Sequence, residues 1–268
     1  MKESNTVRRA VISEYILVAE DNPINTIYVR KLLEKYGFRV DLAKDGNEVV
    51  AKWKNSGTYD LILMDVQMPV ADGIQATTKI RSIEKRDGKS PIPIIALTAY
   101  GTSEEKDKML AVGADNYITK PIDIQNLLSV IAVTRKMEPP HICEGTDSPE
   151  EHYERKLLRE FRDVEGTLGE MLRMTLREFP QRLSEIDRSL SSGDFDTAAE
   201  NCHSLANVAG ILRADELRDK AVYLEGLFRN GNDSEKLPQV TRPLFESIEK
   251  RASELMLVFE KLLEGNLK

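Results

Sequence analysis

Five short apolar runs in the first half of the chain, each followed by a stretch of helical periodicity, restrict the fold more than any other feature. Tyr15-Ile16-Leu17-Val18-Ala19 is too short for a helix and suits a strand buried on both faces. Ile24 to Tyr36 then carries Ile24, Ile27, Val29, Leu32 and Leu33 on one face, and Gly37 stands where a left-handed cap belongs. Further strands are predicted at Phe38–Leu42, Asp60–Met64, Ile92–Leu97 and Asn116–Ile118. Helices are predicted at Gly46–Lys54, Ile74–Glu84, Ser103–Val112 and Ile124–Val133. Five strand–helix units with short right-handed crossovers make one doubly wound parallel sheet, of the α/β class, covered on both faces. Trp53 and Met64 are packing residues in this scheme.

The second half holds no strand signal. Apolar residues at three- and four-residue spacing run from about Ser148 to Leu263, punctuated by Gly166, Gly193, Gly210 and the Asn230-Gly231-Asn232-Asp233 turn. They predict an antiparallel helical bundle: a short first helix, then helices near Thr167–Ser191, Asp194–Leu212, Ala214–Arg229 and Ser234–Glu264. Pro180 is expected to kink or split the first of these long helices. Charge divides at the same place: residues 1–137 carry 20 Lys and Arg against 18 Asp and Glu, and residues 138–268 carry 18 against 27. Met137–Pro149 has three prolines, one glycine and no apolar period, as a linker does. The organisation expected is a tail over 1–13, an α/β domain over 14–136, a linker over 137–149 and an all-α bundle over 150–268.

In sheets of this kind function gathers at the carboxyl ends of the strands. Glu20 and Asp21 follow the first strand, Asp65 the third, Thr98 the fourth and Lys120 the fifth. Crowded carboxylates repel one another unless a cation joins them, and oxygen ligands completed by water suit Mg²⁺. Asp65, alone at the end of the central strand, is the candidate phosphoryl-accepting nucleophile. Glu20 and Asp21 are the candidate metal pair, Lys120 would neutralise charge on the transferring group, and Thr98 would hydrogen-bond it.

The segments Ile16-Leu17-Val18-Ala19-Glu20-Asp21-Asn22, Leu63-Met64-Asp65-Val66-Gln67-Met68-Pro69, Ala96-Leu97-Thr98-Ala99 and Ile118-Thr119-Lys120-Pro121 resemble, in order, those of a two-component response-regulator receiver domain. The resemblance implies a flavodoxin-like fold over about 14–134 and phosphorylation of Asp65. It further implies Mg²⁺ held by Glu20, Asp21, Asp65 and the backbone carbonyl of Gln67, with Thr98 and Tyr117 as a switch pair. The wording of these segments is most similar to receivers of hybrid sensor kinases.

In the bundle, Phe195, Ala198, Ala199, Cys202, Leu205, Ala206, Ala209 and Leu212 share one stripe, and His203 stands at its margin. Its neighbours Ala199, Ala206, Asn207 and Gly210 are small, which predicts an accessible imidazole on a smooth docking patch. A neutral imidazole nitrogen is a competent phosphoryl nucleophile. His141 and His152, in or near the linker, are read as inert. The stretch Ala198 to Asn207, with Ala214, Leu217 and Tyr223-Leu224-Glu225, resembles a histidine phosphotransfer domain, which implies His203 as its phosphorylation site. Ala206-Asn207 stands where that family has Lys-Gly, removing a charge and adding bulk.

The expectation is a two-component phosphorelay protein: Mg²⁺-dependent acceptance on Asp65 and transfer through His203, in either direction. Its partners would be an upstream histidine kinase, a downstream receiver, or both. No glycine-rich ATP loop is visible, so autophosphorylation from ATP is not expected. A net charge of −7 and the lack of a basic recognition helix speak against nucleic acid. Apolar runs far short of a span, no secretion signal and two cysteines without a disulfide or zinc pattern point to a cytoplasmic protein without membrane insertion. Two other readings stand beside this one. One is a scaffold with an active receiver and a docking-only bundle. The other is an aspartate-based phosphatase similar to the haloacid dehalogenases, disfavoured because Gln67 occupies the place of their second acid.

Overall fold

The computed structural model describes residues 14–56, 58–98, 103–136, 153, 157–158, 161, 166–230 and 237–265. The tail over 1–13, the linker over 137–149 and most of the short first bundle helix lie outside the described residues, as do His141 and His152.

The strands β1 (Tyr15–Ala19), β2 (Arg39–Ala43), β3 (Leu61–Asp65), β4 (Ile94–Thr98) and β5 (Asn116–Thr119) form one sheet in the order β2-β1-β3-β4-β5, parallel throughout. Between them run α1 (Pro23–Lys35), α2 (Gly46–Ser56), α3 (Gly73–Asp87), α4 (Ser103–Ala111) and, after β5, α5 (Ile124–Arg135). Alternate strand residues explain both covers. Leu17, Ile62, Met64, Ile94 and Ala96 pack with Trp53, Ile80 and Met109 on one face. Ile16, Val18, Leu61, Leu63, Ile95 and Leu97 pack with Val29, Leu33, Leu128 and Ile131 on the other. The strand order reverses at β1, so the crevice beyond β1 and β3 is where the topology opens a site.

The expected boundaries shift where backbone hydrogen bonds decide. β4 begins at Ile94, two residues late, because Pro93 has no N–H to donate and the Ile92 N–H is taken by Glu84 Oε1 at 2.7 Å. β2 begins at Arg39 because the Phe38 N–H still closes onto Leu33 O of α1, at 3.2 Å. Asn22 caps α1, its Oδ1 accepting from the N–H groups of Ile24 and Asn25.

The helical half contains α6 (Thr167–Ser192), α7 (Phe195–Ile211), α8 (Asp215–Asn230) and α9 (Leu237–Gly265). Pro180 does not split α6, which runs as one helix through it. Gly193 ends α6 at a φ of 76°, a left-handed conformation costly for other residues, and Asp194 caps α7, its Oδ1 accepting from the Thr197 N–H. The core joins Phe179 and Ile186, Cys202 and Leu205, Leu217 and Leu224, and Phe245 and Phe259 from the four helices in turn.

The two halves are not separate bodies. Ile24 of α1 is fully buried in the bundle's core cluster, with Ile27 and Tyr28 packed beside it. Tyr28 lies 5.7 Å, ring to ring, from Phe161. Helix α1 thus serves the sheet with Val29 and Leu33 and the bundle with Ile24, and it packs against α6 and α7. Ile24→Asp should unseat the bundle without unfolding the α/β domain, because an acid is favourable in a helix's first turn but not in an apolar contact. The expected result is a larger radius of gyration by small-angle X-ray scattering and His203 modified at least about ten-fold faster by diethyl pyrocarbonate. Unchanged scattering and reactivity would show that Ile24 does not hold the halves together.

Candidate phosphotransfer site

Each strand end delivers its side chain to one pocket. Asp65 is the last residue of β3 and Thr98 of β4, Glu20 and Asp21 follow β1, and Lys120 follows β5. Glu20, Asp65, Thr98 and Lys120 are buried, whereas Asp21 reaches the surface. Lys120 Nζ donates to Glu20 Oε2 at 2.8 Å and to Asp65 Oδ2 at 2.5 Å. Asn25 Nδ2 donates to Glu20 Oε1 at 2.9 Å, and the Gln67 N–H to Asp65 Oδ1 at 3.3 Å. Thr98 Oγ1 is 3.5 Å from Ile118 O.

Three carboxylates face one ammonium. Each offers an oxygen within 4.8 Å of the others. Loss of water raises the Asp65 carboxyl to about 7, with Glu20 adding to the rise and Lys120 opposing it. Asp21 is raised by the same exclusion of water and then by Glu20. Burial works against the Lys120 ammonium, but Asp65 and Glu20 outweigh it and hold its pKa above the usual lysine value. The pocket has an excess of negative charge and hard oxygen donors, so a divalent cation such as Mg²⁺ fits it.

Tyr117, expected as the second half of a switch, is half-buried on β5. The register sets it beside Ala96 and sets Thr98 beside Thr119. Its ring packs against the core on the α2–α4 face and carries the Lys106 ammonium 4.3 Å from its centre.

His203 departs from expectation. The sequence placed it accessible at the margin of a stripe; in the structure it is only 9% exposed, because the α/β domain covers the patch. Lys120 and Pro121 line one interdomain cavity with His203, Ala206 and Asn207. At Gly210 a Cβ would lie 3.1 Å from Pro121 Cβ, a tight contact that glycine avoids. Ala199 instead belongs to the bundle core. Asn22 Nδ2, on the far side of the α1 cap, donates to Ser204 Oγ at 3.1 Å.

The group that sequence reasoning missed is Glu225 of α8. Its carboxylate lies 3.2 Å from His203 Nδ1 and accepts from Arg229 Nε at 2.9 Å. Burial alone would lower the histidine's pKa, but the Glu225 contact holds it above the ordinary value, and His203 with Arg229 holds Glu225 below its own. A carboxylate can only accept, so Nδ1 is the nitrogen that keeps its proton and the neutral ring leaves the lone pair on Nε2, which is buried without a hydrogen-bond partner. The available signal was an acid among core-facing positions of α8, beside Leu224 and one turn after Ala221.

A parallel sheet ending in acids and a lysine, closed against a helix-borne histidine, defines a protein that handles phosphoryl groups. The response regulator receiver domain model matches residues 16–132 and the Hpt domain model residues 170–263. The chain is 44% identical over 125 residues to hybrid signal transduction histidine kinase I of Dictyostelium discoideum, covering 45% of this chain and 7% of that protein. It is 30% identical over 225 residues to the sensor histidine kinase GacS of Pseudomonas protegens, covering 80% and 24%. To the signal transduction histidine-protein kinase BarA of Escherichia coli it is 26% identical over 247 residues, covering 89% and 26%. The chain thus spans about a quarter or less of the length of the curated relatives it matches. Among solved structures, the complex of Saccharomyces cerevisiae Ypd1 with the receiver domain of Ssk1 matches with a TM-score of 0.45 and 36% identity, over 48% of this chain and 92% of that one. The receiver domain of PA1611 from Pseudomonas aeruginosa, with magnesium coordinated in its active-site cleft, matches with 0.42 and 35%, over 46% and 98%. This chain carries a response regulator receiver domain followed by an Hpt domain, the two modules of a two-component phosphorelay. No helix among the described residues is long and apolar enough to cross a membrane.

Proposed function

We propose that this chain relays a phosphoryl group between Asp65 and His203 of the same molecule. The observation that carries this reading is the buried, unpartnered Nε2 of His203, a residue that lines one cavity together with Lys120, which is in contact with Asp65. Asp65 first accepts the group from a phosphohistidine of an upstream kinase, one carboxylate oxygen forming the P–O bond as the donor P–N bond breaks. His203 Nε2 then attacks phosphorus; the new P–N bond forms, the Asp65 P–O bond breaks and Asp65 returns to carboxylate. The Nδ1 proton stays against Glu225, which offsets the positive charge on the ring. The reverse step uses the same geometry. A downstream receiver takes the group from His203.

Glu20, Asp21 and Asp65, with the backbone carbonyl of Gln67, would hold Mg²⁺, which neutralises charge on the transferring group. Lys120 and Thr98 bind phosphoryl oxygens, and Thr98 with Tyr117 reports phosphorylation outward. Residues 14–136 form the receiver, 137–149 the linker and 150–268 the bundle, in a cytoplasmic setting. Ala206, Asn207 and Gly210 form the docking patch, with Ala199 as the packing beneath it.

Because donor and acceptor share a chain, label should move from Asp65 to His203 at a rate independent of dilution. Acetyl phosphate with Mg²⁺ would load Asp65, and a chelator would stop loading. A transfer rate proportional to protein concentration would show that relay occurs between molecules instead.

A further inference from the structure

A chain of polar contacts, separate from the Lys120 ion pairs, joins the two candidate phosphorylation sites. The Gln67 N–H donates to Asp65 Oδ1 at 3.3 Å, and Gln67 Oε1 accepts from Arg229 Nη2 at 3.1 Å. Arg229 Nε donates to Glu225 Oε1 at 2.9 Å, and that carboxylate lies 3.2 Å from His203 Nδ1. One guanidinium therefore bridges the domain boundary and holds the group that orients the acceptor ring. The planar fork of arginine is what makes this bridge possible: Nε and Nη2 point along one edge and reach two acceptors at fixed spacing. Gln67 stands two residues after Asp65, so the contact is made by a side chain whose backbone is tied to the phospho-acceptor itself.

Resting on the phosphotransfer reading above, we propose that Arg229 is a positioning residue that couples docking to catalysis. It reads the side chain two residues after the receiver's phospho-aspartate and, through Glu225, sets the ring of His203. With Gln67 in place, Arg229 is anchored at both ends and Glu225 is held against Nδ1. A receiver lacking an acceptor at that position leaves the guanidinium tethered to Glu225 alone, and the carboxylate and ring gain freedom. The bundle thereby prefers receivers with a hydrogen-bond acceptor there, its own among them. Another interdomain hydrogen bond, Asn22 Nδ2 to Ser204 Oγ, does not involve the histidine's carboxylate.

The contact is at the rim, with the Arg229 side chain 43% exposed, so its effect is a matter of several-fold and not of orders of magnitude. The test is a cycle in the full chain: wild type, Gln67→Ala, Arg229→Met and the double variant. Asp65 is loaded with acetyl phosphate and Mg²⁺, the donor is removed, and acid-labile, base-stable label is followed in a single turnover relative to the acyl phosphate remaining. Each single variant should slow transfer about five-fold. The double variant should be no more than about ten-fold slow, because both changes delete one contact. The ring nitrogens of His203, followed by ¹⁵N NMR, should shift in Gln67→Ala although residue 67 lies in the other domain. Single effects that multiply to about 25-fold, rates equal to wild type, or unmoved ring resonances would each overturn the role of Arg229. Wild type that loads Asp65 and never labels His203 would overturn the phosphotransfer reading itself, a different outcome from variants that relay as wild type does.

Discussion

Asp65→Asn should leave the chain unable to carry a phosphoryl label of either chemistry. Asparagine keeps the shape of the buried side chain and removes a carboxyl that burial and Glu20 hold up to about 7, so the fold is not what the variant loses. It loses the oxygen nucleophile. Incubated with acetyl phosphate and Mg²⁺, wild type should show two labels: an acyl phosphate labile to base, and a phosphohistidine labile to acid that survives base. In Asp65→Asn both should fall by at least about a hundred-fold, the scale on which loss of a reacting group is felt. In His203→Gln only the base-labile label should remain. The histidine is buried, and Lys120 and Pro121 of the receiver line the same cavity, so a small donor has no separate route to Nε2 in the docked state. Phosphohistidine in Asp65→Asn would therefore sink the order of transfer. A His203→Gln chain that relays normally would leave the bundle as a docking module, the scaffold reading. Steady turnover of a phosphate monoester would revive the phosphatase reading, which the structure further disfavours because Gln67 Oε1 is engaged by Arg229 and not free to serve a substrate.

The receiver half was legible in the sequence because its information is local. A strand of five residues ends, and the next residue is at the sheet edge; Glu20, Asp65, Thr98 and Lys120 converge because parallel topology leaves no other place for them. Errors there were shifts of one to three residues: β2, β3 and β4 begin late, at Arg39, Leu61 and Ile94, and α3 runs on to Asp87. In the bundle, helix positions followed from Gly193, Asp194 and the apolar stripe. What lay beyond the sequence was every relation between distant helices. Periodicity puts His203 at the edge of a stripe, but whether that edge meets water or Pro121 depends on a docking that no local pattern encodes. Glu225 is 22 positions from His203 and Arg229 is 162 from Gln67. The Gln67 side chain is one of the groups that cross the boundary. The substitution of Ala206-Asn207 for Lys-Gly reads differently once docking is seen: Lys120 of the receiver lines the same cavity as His203, so a lysine comes from the other domain.

Glu225→Gln should lower both the rate at which His203 accepts and the pH at which acceptance becomes half-maximal. Phosphoryl acceptance needs the neutral ring. In wild type the Glu225 carboxylate holds the His203 pKa above its ordinary 6.5, with Asp65 adding to this and burial and Lys120 opposing it. The transfer rate should therefore rise with pH through a midpoint above 6.5. Removing the carboxylate leaves burial and Lys120 in control, and the midpoint should move down. The plateau should still fall by about ten-fold or more, because a glutamine amide at Nδ1 can donate as readily as it accepts and no longer fixes the tautomer with Nε2 unprotonated; in a hydrolase triad the corresponding amide substitution costs ~10⁴. Stability should follow the same two groups. His203, raised, stabilises the fold fully below 6.5 and loses that contribution as pH rises through its folded pKa. Glu225, lowered, stabilises above 4.5 and loses its share as pH falls through its own. The stabilising window of the pair thus lies on the acid side of the window for transfer: the proton that strengthens the His203–Glu225 contact is the one that must leave before Nε2 can take a phosphoryl group. A pH–rate profile of Glu225→Gln superimposable on wild type would show that the carboxylate does not face Nδ1 while the group moves.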